Sequence, residues 1–180
     1  MTKSLRKTVA KVTREFADGE KLPFQGEQFK LKIIESDRKR TSVQLVGDCF
    51  WVCINRELAV DVRPIEIHSK LVRLYKDLAR EAVTERVEFF KRQLAVEYNQ
   101  IRIKEQRSRW GSCSKKGNLN FNWKLVMAPP DVIDYVVVHE ICHLRHMNHS
   151  KEFWRYVETI LPDYRDSAHW LRKNGWELYL

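Results

Sequence analysis

Two hydrophobic patterns divide this chain of 180 residues. Between residues 22 and 62 apolar and polar residues alternate, most clearly over residues 28–33, and a period of two predicts strands with one buried face. Residues 43–46 and 50–54 predict two further strands, and the three together indicate a small antiparallel meander. From residue 65 to about residue 98, apolar residues recur at helical spacing with no glycine or proline, which predicts one long amphipathic helix or two with a kink.

The second half of the chain combines a hairpin with shorter helices. Residues 101–104 predict a strand, and residues 111–123 predict a hairpin that turns at a lysine- and glycine-containing segment. We expect Asn148 to adopt the left-handed conformation that ends a helix, and Ser150 to cap the next one. The predicted helices span residues 130–147, 151–161 and 163–171.

These elements predict an α+β fold, in which a small antiparallel sheet packs on the long helix and further helices lie at the C-terminus. Residues 1–62 would supply an N-terminal arm, through about residue 22, and the meander, and residues 63–180 would supply the core. We expect the two parts to form one continuous globular unit. Hydrophobic residues make up 43% of the chain, which is enough for a packed core, and no run of 18 apolar residues predicts a membrane span.

His139, Glu140 and His143 carry the clearest chemical signal. Two histidines four residues apart on a helix lie on one face, so both imidazoles can reach one metal ion. In this spacing the intervening glutamate lies beside water that the metal activates, where it can serve as general base. Three valines at residues 136–138 predict a buried helix, where polar side chains need a functional reason. The motif therefore predicts a site for one zinc ion.

A catalytic zinc site needs a third protein ligand. His149 matches the third position of a longer zinc-protease pattern, and a chain that turns near residue 148 would return it to the metal. His146 shares the helix face of His143, but it lies about 10 Å from His139 along a straight helix. His149 is favoured, with His146 or a more distant glutamate or histidine as alternatives. Cys142 lies between the ligands, but helix geometry turns it toward the core.

Charge and cysteine content add the cellular context. The net charge of +9, from 33 basic and 24 acidic residues, favours a polyanionic partner such as nucleic acid. The basic residues are spread along the chain, however, and no aromatic–basic nucleic-acid motif is present. The spacing of the four cysteines does not resemble a disulfide framework, and no secretory signal is evident. Reduced thiols in the cytoplasm are the simplest interpretation.

Several segments between residues 101 and 176 share the pattern of a known family. They are Arg109-Trp110-Gly111-Ser112-Cys113-Ser114, Asn122-Trp123-Lys124-Leu125, Ala128-Pro129, residues 132–140, and Asn148-His149-Ser150 through Phe153-Trp154. These segments closely resemble the YgjP-like family of predicted metal-dependent hydrolases, which is similar to SprT and Spartan-type proteases and to zincins generally. The resemblance implies a zincin-like core, with His139, His143 and His149 as zinc ligands and Glu140 as the catalytic acidic residue. It does not imply a substrate.

The resulting hypothesis is a zinc-dependent hydrolase, specifically a metallopeptidase that cleaves peptide bonds in a peptide or protein. Glu140 would accept a proton from the attacking water and deliver it to the leaving amine. The alternative is a DNA-associated protein with a zinc site, either a protease that acts on DNA-bound proteins or a binding module without turnover.

The hairpin over residues 111–121 is the candidate substrate-binding element, because zincins commonly hold substrate as a strand added to a sheet edge. Gly111, Ser112 and Cys113 are the candidate contacts, since small residues allow another backbone to approach. Alternatively, the hairpin is tight and buried and packs Trp110 against the metal helix.

Arg109 has two interpretations. It could bind a carboxylate or phosphate of the substrate, or form a structural salt bridge with Asp134 or Glu105. Tyr164 and His169 are candidates to stabilise an oxyanion, although packing and surface roles are commoner for these residue types.

Overall fold

The computed structural model describes residues 14–180, so most of the predicted N-terminal arm lies outside the described residues. The α+β class is confirmed. The first half contains strands β1 (Lys21–Phe24), β2 (Glu27–Ser36), β3 (Ser42–Val46) and β4 (Cys49–Asn55), followed by helix α1 (Arg63–Leu94). The second half contains strands β5 (Gln100–Lys104), β6 (Gly111–Cys113) and β7 (Asn118–Asn122), then helices α2 (Pro130–Cys142), α3 (Lys151–Ile160) and α4 (Tyr164–Asn174). Short 3-10 turns span Trp123–Met127 and Gly175–Glu177.

The N-terminal sheet is mixed, so the predicted antiparallel meander is wrong. Its strand order is β1-β2-β4-β3, and β4 runs parallel to β2 and antiparallel to β3. Strand β4 occupies an inner position because its inward residues Phe50, Val52 and Ile54 are all fully buried. A strand with such an apolar face is stabilised most when neighbouring strands flank it on both sides. Gly47, with φ of +60°, closes the β3–β4 hairpin as a left-handed residue.

The second sheet carries the predicted hairpin. Strand β6 pairs antiparallel with β7, and β5 pairs parallel with β7 from the other side. The predicted strand over residues 101–104 and the hairpin are therefore both present. Because the order is β5-β7-β6, strand β6 lies at the edge of this sheet and keeps one side free of sheet partners within residues 14–180.

Helix α1 joins the two halves of the fold as one helix of 32 residues, without the alternative kink. Its buried residues recur at spacings of three and four, from Ile67 to Leu94. Tyr75 stacks on Phe50 with ring centroids 5.1 Å apart, and its hydroxyl donates a 2.8 Å hydrogen bond to the carbonyl oxygen of Pro23. One hydrophobic core thus includes residues from both sides of position 62, although the division of the chain at that position stays a prediction.

Helix α2 lies in the interior and places the metal motif. It begins at Pro130, as predicted, and most of its residues are buried, including all three valines at residues 136–138. A bidentate ion pair between Arg86 of α1 and Asp134 of α2 ties the two helices together, with one contact of 2.7 Å. No helix among residues 14–180 is long and apolar enough to cross a membrane.

Helix α2 ends about one turn earlier than predicted. It ends at Cys142, with His143 as a right-handed cap, and Asn148 does not adopt the expected left-handed conformation. The chain turns instead through hydrogen bonds from the N–H groups of residues 144–146 to the carbonyls of Ile141 and Cys142. Ser150 caps α3 as predicted, since its hydroxyl accepts a hydrogen bond from the N–H of Phe153.

Candidate metal centre

Three histidines converge at the end of α2. The Nε2 atom of His149 lies 2.9 Å from Nε2 of His139 and 3.1 Å from Nε2 of His143. The candidate ligand atoms of the three residues all lie within 4.8 Å of one another. The structure therefore brings together the three histidines that the sequence favoured as ligands.

His146, the alternative third ligand, has a different place. Its ring lies edge-on to Tyr156, with centroids 5.6 Å apart, and its backbone carbonyl accepts a 2.9 Å hydrogen bond from Nδ1 of His143. A carbonyl can only accept, so Nδ1 of His143 carries the proton and Nε2 presents a lone pair toward the cluster. The contribution of His146 is thus a backbone contact that orients His143.

The cluster fits a bound cation. A proton on Nε2 of His149 would point mainly toward one neighbour, so at least one pair of nitrogen lone pairs would remain face to face. A cation shared by all three nitrogens removes that repulsion. Zinc–nitrogen bonds of about 2.0–2.1 Å place tetrahedral ligand atoms about 3.3 Å apart, close to the observed separations of 2.9 and 3.1 Å.

Burial favours the neutral imidazole of His139 and His143, which is the form that binds metal. Burial, together with the neighbouring His143 and His149, lowers the pKa of His139 to about 3. Burial also lowers the pKa of His143, partly opposed by its hydrogen bond to the carbonyl of His146. Neutral rings at these two positions leave their nitrogen lone pairs available without competition from protons.

Aromatic rings hold the three imidazoles in place. Phe153 is fully buried, its ring stacks on His143 at 4.5 Å, and it lies 5.0 Å from both His139 and His149. Trp154 stacks on His149 at 5.7 Å. The hydrophobic pattern along the chain does not predict that Phe153 contacts all three histidines. The available signal was its position four residues after His149, at the start of a helix.

Tyr164, a candidate for oxyanion stabilisation, belongs to an aromatic stack beside these rings. Its ring stacks on Trp154 at 5.3 Å and on Tyr135 at 6.3 Å, and Tyr135 in turn lies edge-on to His139. The stack supports the side of the metal centre. A direct catalytic role for Tyr164 stays a prediction, as it does for the exposed His169.

Glu140 is the buried carboxyl group of the site. It is 5% exposed, and burial raises its pKa to about 8 although the positive charge of Arg109 acts in the opposite direction. Its Oε2 atom is buried and has no hydrogen-bond partner among the described residues. Since buried polar atoms are normally paired, an unpartnered oxygen on the residue that follows His139 indicates a place for a ligand or a reacting water molecule.

Gly111 makes room for that carboxyl group. A Cβ atom at this position would lie 2.6 Å from Cγ and Oε1 of Glu140 and 2.8 Å from its Cδ. The space that the sequence interpretation left for a substrate backbone at this face of Gly111 is therefore filled by Glu140. Trp110 is the other residue of this segment that was predicted to pack on the metal helix, and that contact stays a prediction. Its ring packs on Gly175, where an added Cβ atom would lie 2.9 Å from the indole.

The remaining candidate substrate residues lie nearby in β6. The hydroxyl of Ser112 accepts a 3.2 Å hydrogen bond from Asn120 across the hairpin. The thiol of Cys113 is half-buried, and burial together with the charge of Glu140 raises its pKa to about 11. Cys142 is fully buried, which agrees with the predicted packing role.

Arg109 does not form the predicted salt bridge with Asp134, because Arg86 of α1 occupies that carboxylate. Nor does it form an ion pair with Glu105 in the described part of the chain. Its side chain is exposed, and its charge is felt at Glu140. A structural ion pair therefore does not account for this residue.

Comparisons with known proteins identify a family for this chain. The model of the YgjP-like metallopeptidase domain matches residues 1–174, well beyond the residues 101–176 over which the resemblance was clear. No curated protein sequence matches the chain. Among solved structures, the metallopeptidase zymogen of Pyrococcus abyssi abylysin is similar, with 23% identity and a TM-score of 0.46 over 51% of this chain and 93% of that one. Because the family model matches almost the whole length of the chain, the conclusion is that the chain belongs to the YgjP-like metallopeptidase family.

Proposed function

We propose that this protein is a zinc-dependent peptidase in which His139, His143 and His149 hold one zinc ion and Glu140 is the general base. The observation that carries the proposal is the convergence of the three histidines, together with a buried, unpartnered carboxyl oxygen on Glu140, the residue that follows His139. A purely structural zinc site would be closed by a fourth protein ligand and would need no carboxylate at that position.

When bound, the ion supplies Lewis-acid chemistry that activates water and polarises a peptide carbonyl. Glu140 takes a proton from the attacking water at its carboxylate and returns it to the nitrogen of the leaving amine. Burial raises the pKa of Glu140 to about 8, a value that already includes the opposing charge of Arg109, and a cation held by the three histidines would favour the carboxylate form further. A general acid and base works best with its pKa near the working pH.

The peptide substrate is proposed to bind along β6 as an added strand. The unpaired side of β6 offers backbone N–H and C=O groups in the order that strand addition needs. This pairing would use the backbone of Gly111, Ser112 and Cys113. Because Gly111 has no side chain, the space beside it holds the carboxyl group of Glu140. Arg109 would then lie just beyond the start of the bound strand.

The Glu140→Gln variant tests this mechanism. The amide keeps the size of the side chain but cannot take up the proton, so we expect cleavage of a peptide library to fall by about 10²–10⁴-fold while zinc content stays stoichiometric. Zinc is measured by mass spectrometry on protein purified without chelators. A wild-type protein that holds no metal after zinc supplementation, or a variant with unchanged cleavage, would overturn the proposal.

Nucleic acid is the alternative partner, supported by the net charge of +9. Under this second candidate function, the protein acts on or among proteins bound to DNA. This candidate function predicts salt-dependent retention of the protein on DNA, and a lack of retention at about 50 mM salt would exclude it. We also propose a cytoplasmic location with reduced thiols, which is supported by four cysteines that are all free.

A further inference from the structure

A cavity of about 520 Å³ lies at the loop that precedes β6. One wall is the loop between β5 and β6, over residues 105–110, and the opposite wall is formed by the end of α4 and the residues that follow it. The loop leads directly into β6, the proposed substrate-binding edge. A peptide that extends past the start of β6 would therefore reach this cavity.

The cavity is strongly basic. Four cations line it, against the single carboxylate of Glu105. None of the four has a carboxylate within 4.0 Å anywhere in residues 14–180, although seven other arginines and lysines of the chain are paired in this way. Several unpaired cations around one concavity repel one another, so an anionic ligand would stabilise the arrangement. The four residues are Arg107, Arg109, Lys124 and Arg172.

The charge of this cavity is felt at two side chains of α2. Arg109 acts on Glu140, and Arg172 acts on Tyr135. Cations on both walls of the cavity thus act on the helix that carries His139.

The dimensions favour a single anionic group over a polymer. Strand-like nucleic acids follow extended basic grooves with successive stacking platforms, whereas this site is one pocket closed on two sides. Arginine guanidinium groups bind carboxylates through two parallel hydrogen bonds. Trp176, which is 62% exposed, offers an apolar surface at the same pocket for the stem of a side chain.

We propose that this cavity binds a carboxylate of the peptide substrate, so that the enzyme prefers peptides with an acidic group beyond the β6 end of the cleft. The inference rests on the proposed peptidase function and adds a substrate class to it. The carboxylate could belong to an aspartate or glutamate side chain or to the C-terminus of the substrate. These two sources share the same chemistry and are separated by the experiment below.

The test measures binding without turnover. Zinc-loaded full-length protein with Glu140→Gln is titrated, by fluorescence anisotropy, with a labelled peptide library in matched sets. The sets differ by Asp against Asn, Glu against Gln, and a free against an amidated C-terminus. We expect acidic peptides to bind about tenfold or more tightly than their neutral partners, because hydrogen bonds to charged groups have that effect. The set that shows the difference identifies the source of the carboxylate.

Arg107→Gln combined with Arg172→Gln should abolish the preference and leave the affinity for neutral peptides unchanged. The matched control combines Arg155→Gln with Lys173→Gln, which removes two exposed charges that do not line the cavity. Unchanged binding of neutral peptides and unchanged zinc content show that both double variants are folded.

Three results would overturn the inference. The first is equal binding of acidic and neutral peptides, and the second is an equal loss of the acidic preference in the control pair. The third is tight binding of single-stranded DNA that the Arg107 and Arg172 changes abolish, while peptides show no preference. The last result would assign the cavity to nucleic acid. Because the assay needs no cleavage, a failure of the peptidase proposal would appear separately, in the zinc and turnover measurements.

Discussion

The Gly111→Ala variant tests how the carboxyl group of Glu140, the proposed general base, is positioned. The added methyl carbon would lie 2.6 Å from Cγ of Glu140, about 0.9 Å closer than carbon atoms pack. Glu140 is 5% exposed on a helix buried on most sides, so its side chain cannot rotate away freely. Either the carboxyl group or β6 must move by nearly 1 Å. A displacement of that size costs about 100-fold in kcat/KM, or about 2.7 kcal/mol of transition-state stabilisation.

The assay compares cleavage of a peptide library by zinc-loaded wild-type and variant proteins, with zinc content measured in parallel. We expect zinc content to stay stoichiometric, because the predicted clash involves Glu140 and none of the three histidines. Gly117→Ala is the control. It strains the turn of the same hairpin, where φ is +72°, but its nearest neighbours are Asn99, Leu144 and Tyr98 rather than Glu140. A Gly111→Ala enzyme with more than a third of wild-type activity, or a control that loses as much, would refute the reasoning.

Three further predictions concern the metal centre and its support. His149→Ala should lose stoichiometric zinc by mass spectrometry, whereas His146→Ala should keep it, since the latter residue contributes its backbone carbonyl; equal zinc loss in both would contradict the ligand assignment. Phe153→Ala should lower the free energy of unfolding by about 3–5 kcal/mol in urea, because the ring is fully buried, and a loss under 1 kcal/mol would show that its contacts matter little. Asp134→Asn should cost about 1–2 kcal/mol by leaving Arg86 without its partner at a site where the side chains are only 20% and 30% exposed; a loss in the double variant with Arg86→Gln that equals the sum of the two single losses would show that the pair itself is not the cause.

The local features of this protein could be predicted from sequence because each depends on neighbours along the chain. Helical spacing alone places His139 and His143 on one face. Pro130 begins α2 and Ser150 caps α3 because helix ends select residues by backbone chemistry. The β6–β7 hairpin follows from two alternating segments around a turn. Together with the resemblance, these features were enough to indicate the three histidines.

Other features depend on partners distant in the chain, and only the tertiary structure decided them. The insertion of β4 between β2 and β3 depends on which apolar face the core covers best, which alternation within one strand does not specify. The pairing of Asp134 with Arg86, 48 residues away, excluded the bridge expected with Arg109. The sequence predicted that the small residue Gly111 leaves room for substrate, whereas in the structure it leaves room for the side chain of Glu140. Local rules name the residues that can react, but packing determines which neighbours they meet, because close packing assigns each space to one group.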